Sequence, residues 1–197
     1  MKITATPDRH FKDMLGIGVF IAAVCIGAWL INLFIFRSFN VDGPSMEDTL
    51  HTGDRLIVNR LPVTWSHIRG TSYIPERGQI IVFKNPGYTP GSQNEYIVKR
   101  VIAFPGERVV VKNGKVTVYT TDHPEGIDVD KEHPGAKQPT DGEVDTTVAE
   151  GTIFVLGDHR QLGFSCDSRS CMGTIPYDDI IGPVSFRIFP FDQMKVF

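Results

Sequence analysis

Two side chains in this 197-residue chain have the chemistry of nucleophilic catalysis, and each sits in a setting that could arm it. Ser45, in Val41-Asp42-Gly43-Pro44-Ser45-Met46, carries a hydroxyl that is a weak nucleophile until a nearby base takes its proton. Lys99, in Tyr96-Ile97-Val98-Lys99-Arg100-Val101, is the candidate base. Strand alternation puts Ile97, Lys99, Val101 and Ala103 on one face, with Arg100 on the other, so the ammonium is expected among aliphatic neighbours. Burial disfavours the protonated form and lowers a lysine pKa by up to several units, giving a neutral amine near neutral pH. Such an amine can deprotonate a serine, and Ser-Lys pairs are an alternative to the Ser-His-Asp arrangement. The commoner roles of these residue types are a solvated edge lysine and a turn serine after proline.

The elements that must position this pair begin with residues 14–36, which contain no charged side chain. At 1.5 Å rise per residue a helix of this length crosses an apolar core of about 30 Å. The run ends in Leu33-Phe34-Ile35-Phe36-Arg37 rather than in small residues, so it reads as a retained anchor and not a cleaved signal. Its length and unbroken apolarity also argue against a buried helix of a soluble protein. Lys2, Arg9 and Lys12 precede it, whereas Arg37 and then Asp42, Glu47 and Asp48 follow, which predicts residues 1–13 in the cytoplasm and 37–197 outside the cell membrane. Ser45 then stands within about 30 Å of the bilayer, at roughly 3.3 Å per extended residue. Its substrates are expected to be membrane-bound.

Residues 37–197, about 160 in all, are the size of one domain. The net charge of -3 and the lack of any Lys/Arg block argue against nucleic acid as a partner. Residues 56–58, 79–83, 96–104, 108–112, 115–119, 152–156 and 184–189 are β-branched or aromatic runs bounded by turns, which predicts a mostly β domain of antiparallel sheets. Asn113-Gly114 between two of these runs predicts a two-residue hairpin. Residues 120–150, rich in Asp, Glu, Pro and Gly, read as a solvated insertion and not as a core element. Of three cysteines, Cys166 and Cys171 lie close together; outside the cytoplasm they can form a disulfide or remain two thiols. With only His159 beside them, they fall short of the ligands a zinc site needs, and the motifs require no metal or cofactor.

Several motifs stand in order: Gly43-Pro44-Ser45-Met46 with Thr49-Leu50 and Gly53-Asp54, then Tyr96-Ile97-Val98-Lys99-Arg100-Val101 with Pro105-Gly106, then Gly157-Asp158-His159-Arg160 and Ser165-Cys166-Asp167-Ser168-Arg169. Together they resemble the bacterial type I signal peptidases. The resemblance covers the anchor and nearly all of the outer domain. It implies Ser45 as nucleophile, Lys99 as general base, a Ser165 hydroxyl that helps orient the lysine, and an Asp167–Arg169 pair that stiffens the floor of the site. Asp158 and Arg160 are expected to form a second charged pair that holds that loop, the alternative being a surface ion pair that contributes little.

The chain departs from the family pattern at two places. Position 43 is glycine, as in Gram-positive-like members, where others carry a serine that donates to the oxyanion, so the Ser45 N–H must supply more of that stabilisation. His159 replaces the common asparagine, and Gln161-Leu162-Gly163-Phe164 lengthens the loop that Cys166 and Cys171 would brace.

The implied reaction is amide hydrolysis at the junction between signal peptide and mature protein, with small side chains preferred at the first and third positions before the cut. Val41, Met46, Leu50 and Ile97 are candidate walls of the pockets that read them, against a substrate strand lying along the sheet. Phe186, Ile188, Phe189 and Phe191 form a core strand or dip into the lipid interface. The implied partners are signal-peptide-bearing preproteins, the bilayer and the secretion machinery. Two alternatives accompany this reading: a non-catalytic β scaffold in an export or envelope complex, and a Ser-Lys peptidase specialised for pilin or conjugation proteins.

Overall fold

In the computed structural model an unbroken helix, α1 (Asp8–Phe34), starts in a charged stretch and runs on through residues 14–34, which are apolar on every side. Residues 8–91, 94–132 and 134–197 are described; Lys2, used above for orientation, lies outside them. Within α1, Lys12–Phe34 is long and apolar enough to cross a membrane, and none of its most apolar window is buried by the rest of the chain. Phe20, Val24 and Trp29 are exposed along it, as expected of a helix with no polar face to turn to water. The helix stops short of the expected residue 36, and Phe36 already belongs to β1 (Phe36–Asn40). The reason is local capping. The last carbonyls of a helix lack intrahelical donors, and here Arg60 Nη1 donates to Leu33 O, Thr64 Oγ1 to Phe34 O (3.0 Å) and Arg60 N–H to Ile35 O (2.7 Å).

The domain is mostly β and antiparallel. β1 pairs with β2 (Arg55–Asn59), which pairs with the long β11 (Ile180–Phe189). β11 continues onto β3 (Ile80–Lys84), followed across the sheet by β4 (Tyr96–Ala103), β9 (Thr152–Leu156) and β10 (Ile175–Pro176). A short β12 (Lys195–Val196) also joins β11. The second sheet is built on the hairpin of β5 (Arg108–Lys112) and β6 (Lys115–Tyr119), flanked by β7 (Ile127–Asp128) and β8 (Val144–Thr147). Asn113 and Gly114 have φ of 51° and 79°, the positive values that a tight hairpin turn needs. The described residues also form the short α-helices α2 (Leu61–Ile68) and α3 (Val129–Glu132).

Burial follows strand alternation on the large sheet. Ile81, Phe83, Val101, Ile153, Val155 and Ile180 pack one face with Val63 of α2. Leu56, Val58, Ile80, Val82 and Val184 pack the other, beneath Val41, Met46 and Leu50. The third core joins the sheets through Ile102, Val109, Val111, Val116, Val118, Phe154 and Leu156. It also contains Val129 and Val148, which corrects the reading of residues 120–150 as a solvated insertion. That segment supplies β7, α3 and β8; its few apolar residues are enough because each closes an edge of a sheet already built by others.

Candidate active site

Ser45 sits on a loop whose two ends are clipped to each other just ahead of β2. Val41 N–H donates to Asp54 O and Gly53 N–H to Val41 O, both at 2.9 Å, while Gly43 N–H donates to Thr52 Oγ1 at 3.1 Å. Gly43 has φ +97°, where a side chain would be strained. Below the turn, Met46 and Leu50 are fully buried one helical turn apart and serve as its anchors. This corrects their assignment as pocket walls, because a side chain with no exposed surface cannot meet substrate. Among the described residues, no acceptor takes the Ser45 N–H, which leaves it available to a ligand.

Lys99 is placed by β4. The register sets it opposite Ile81, on the face shared with Ile97 and Val101; a bulge between Val101 and Ala103 takes Ala103 off that face and into the core between the sheets. β9 ends at Leu156, opposite Arg100, and the chain turns away through Gly157. The turn bearing Ser45 takes the space beside β4 at this point, and His159 N–H donates to Ser45 O (3.2 Å). Lys99 Nζ lies 2.6 Å from Ser45 Oγ and donates to Val98 O at 3.0 Å. The side chain is almost wholly buried. That burial pushes the ammonium down to about 8, against the opposing pull of Asp167 and Asp158.

Behind the pair lies a buried floor. Asp167 accepts from Arg169 Nε (3.0 Å) and Nη2 (2.9 Å), from Gly157 N–H (3.1 Å) and from Ser165 Oγ (2.8 Å). Burial alone would raise this carboxyl's pKa, but the Arg169 guanidinium and these donors outweigh it and hold the group below its ordinary value. Ser165 thus gives its proton to the carboxylate, the stronger acceptor, and the hydrogen bonds of Lys99 run to Ser45 and Val98 instead of Ser165. Gly157, which carried no role in the sequence reading beyond its motif, is sterically required. A Cβ there would stand 2.2 Å from Ser165 Oγ and 2.3 Å from Ser45 O.

The expected pairing of Asp158 with Arg160, whether to hold the loop or at the surface, does not form, and both residues are buried. Asp158 is gripped bidentately by Arg100, Nε at 2.8 Å and Nη2 at 2.6 Å, and accepts from Thr49 Oγ1 at 2.5 Å. Arg160 donates to Asp130 (2.7 Å) and not to Asp158. Each buried charge takes the partner that its own side of the loop faces: β4 for Asp158, the 120–150 segment for Arg160. A further buried pair, Asp54 with Arg187 (2.9 Å), ties the nucleophile turn to β11. Arg100, Thr49, Asp130 and Arg187 were missed as site supports, since their partners are distant in sequence.

A cleft opens beside Ser45 and Lys99. Val41 and Ile97 line it, joined by Phe39, Tyr96, Phe164, Cys166 and Met172, which were not foreseen. Cys166 and Cys171 are disulfide-bonded. Phe164 stacks on His159, ring centroids 4.3 Å apart, and His159 Nδ1 lies 3.3 Å from Pro44 O, so the histidine that replaces asparagine braces the nucleophile turn.

A buried lysine amine 2.6 Å from a turn-borne serine hydroxyl, in a β domain that follows an apolar helix, is an arrangement in which the lysine could activate the serine. The chain belongs to the signal peptidase, peptidase S26 family, which residues 14–189 match. It is 37% identical over 184 residues to signal peptidase I of Bacillus caldolyticus, covering 87% of this chain and 88% of that one. To signal peptidase IB of Staphylococcus aureus it is 29% identical over 195 residues, covering 93% and 94%. The crystal structure of a signal peptidase I from Enterococcus faecalis V583 matches with 24% identity and a TM-score of 0.42, over 57% of this chain and 98% of that one, a likeness too loose to bear on the site. The chain is therefore a serine endopeptidase carrying a membrane-anchoring helix, and the non-catalytic scaffold is set aside.

Proposed function

We propose that this enzyme cleaves signal peptides from exported preproteins with Ser45 as nucleophile and Lys99 as general base. The observation that carries the reading is the 2.6 Å approach of a buried Nζ to Ser45 Oγ. At that separation an uncharged amine accepts the hydroxyl proton as Oγ attacks the scissile carbonyl. The developing oxyanion would be met by the Ser45 N–H, a donor left free in the turn. Collapse of the tetrahedral species breaks the C–N bond, and the Lys99 ammonium returns its proton to the departing amine. The serine ester remains. Water, deprotonated in turn by Lys99, attacks it; the C–Oγ bond breaks, Lys99 returns the proton to Ser45 Oγ, and the signal peptide leaves with its new carboxylate.

Substrate would lie along β4. Among the described residues, β4 has no strand neighbour beside Tyr96, Ile97, Val98 and Lys99 on the side away from β3, so an extended chain can pair there by strand addition. Residues 1–13 would lie in the cytoplasm and 37–197 outside, which puts the cleft on the side where preproteins emerge from the secretion machinery.

The test is to incubate the purified full chain in detergent with a signal-peptide-bearing preprotein and locate the cut by mass. Cleavage at the signal junction is expected, with loss in Ser45→Ala and in Lys99→Ala while both variants keep the wild-type circular dichroism. Activity surviving either substitution overturns the assignment.

A further inference from the structure

We propose that α2 (Leu61–Ile68) is an in-plane membrane helix whose outer stripe, Leu61, Trp65 and Ile68, lies in the lipid interface of the membrane that α1 crosses. The inference rests on the reading of α1 as a membrane span.

Three observations carry it. First, α2 is apolar on two opposite sides. Val63 points into the core, while Leu61, Trp65 and Ile68 are 47%, 56% and 72% exposed. At about 100° per residue these three fall within about 60° of one another, roughly opposite Val63. An eight-residue helix buried on one side only would present polar residues there. Second, α2 is bolted to the end of α1. Arg60 and Thr64 take the last two carbonyls of the span, at Leu33 and Phe34, and that of Ile35 just beyond it, and on the helical wheel they sit beside the outer stripe. The Lys12–Phe34 stretch is about 34 Å long, a few ångströms more than an apolar core of about 30 Å. Its last turn, and α2 with it, is thereby brought to the boundary between acyl chains and headgroups. Third, the chemistry matches that boundary. Indoles favour the interface, and the Arg69 guanidinium lies 4.8 Å over the Trp65 ring, so a cation stands at the rim of the stripe where headgroup phosphates would be.

The occupant is lipid, and its consequence is orientational. A second attachment beside the first stops the domain from swivelling about the single helix and holds the cleft at a fixed attitude to the bilayer.

The chain has two tryptophans, Trp29 in α1 and Trp65 in α2, which makes the test internal. Full-length Trp65→Phe and Trp29→Phe are reconstituted into phosphatidylcholine–phosphatidylglycerol vesicles with or without acyl-chain-brominated lipid, and acrylamide is added from the water. Both reporters should be quenched by bromine, Trp65 by about half or more, and shielded from acrylamide. Adding Leu61→Ser and Ile68→Ser to the Trp29→Phe chain should return Trp65 to acrylamide, and the same pair in Trp65→Phe should leave Trp29 quenched by bromine. Trp29 quenched while Trp65 stays open to acrylamide and untouched by bromine overturns the proposal but keeps the span. Trp65 shielded from both agents also overturns it, since protein and not lipid then covers the stripe. If Trp29 itself escapes bromine, the span reading fails and the proposal falls with it.

Discussion

Ser45 and Lys99 meet because two pieces of chain of different character converge. One is a turn whose Met46 and Leu50 plug a core, the other a strand that loses its neighbour where β9 ends. The lysine's chemistry follows from this placement, since burial brings its pKa to about 8 while Asp167 and Asp158 act to raise it. Only the uncharged amine is a base, so kcat/KM should fall about tenfold per pH unit below about 8 and level off above it. A limb near the value of a solvated lysine, about 10.4, would refute a dry amine. Asp167→Asn should move the limb to lower pH, because it removes a charge that stabilises the ammonium. A purely structural role would lower activity and leave the limb in place.

Among the elements, the loop from Phe164 to Met172 works on both sides of the site. Asp167 and Arg169 form the buried floor, while Phe164, Cys166 and Met172 face the cleft. The Cys166–Cys171 disulfide, Cα atoms 5.5 Å apart, closes the loop around the floor residues. Arg169 holds Asp167 and also donates to Asp141 O and Arg160 O, so the floor has ties that do not depend on the disulfide. Replacing both cysteines by serine should therefore cost about 2 kcal/mol of stability and raise KM more than it lowers kcat, read from thermal unfolding and from steady-state peptide cleavage. A fall in kcat with KM unchanged would place the disulfide's effect on the dyad instead. The strands were largely legible in advance. Residues 108–112, 115–119 and 152–156 form strands over the predicted spans, because β-branched runs between turn residues determine themselves locally. α2 was not foreseen: eight residues give too short a period to stand out from the strands around them.

On the scale of the whole molecule, the segment between β6 and β9 joins the second sheet to the site. Arg160, fully buried, spends its charge on Asp130 and also donates to Thr140 Oγ1 (2.8 Å) and Gly157 O (2.8 Å). Asp130→Ala leaves that guanidinium buried and unpaired, which should cost about 3 kcal/mol in chemical denaturation and lower activity through Gly157, although Asp130 lies outside the cleft. Wild-type stability in Asp130→Ala would show the segment to be uncoupled from the site. By itself the sequence determined what depends on neighbours along the chain: the apolar span, the hairpin at Asn113-Gly114, most strands, and a serine and a lysine in settings suited to chemistry. Tertiary structure alone decided the ion-pair partners, Arg100 for Asp158 and Asp130 for Arg160, which lie 58 and 30 positions apart. It likewise decided that Met46 and Leu50 are buried and that residues 120–150 close a sheet. A charge in a low-dielectric interior takes whichever counter-charge packing brings to it, and no local pattern records that choice.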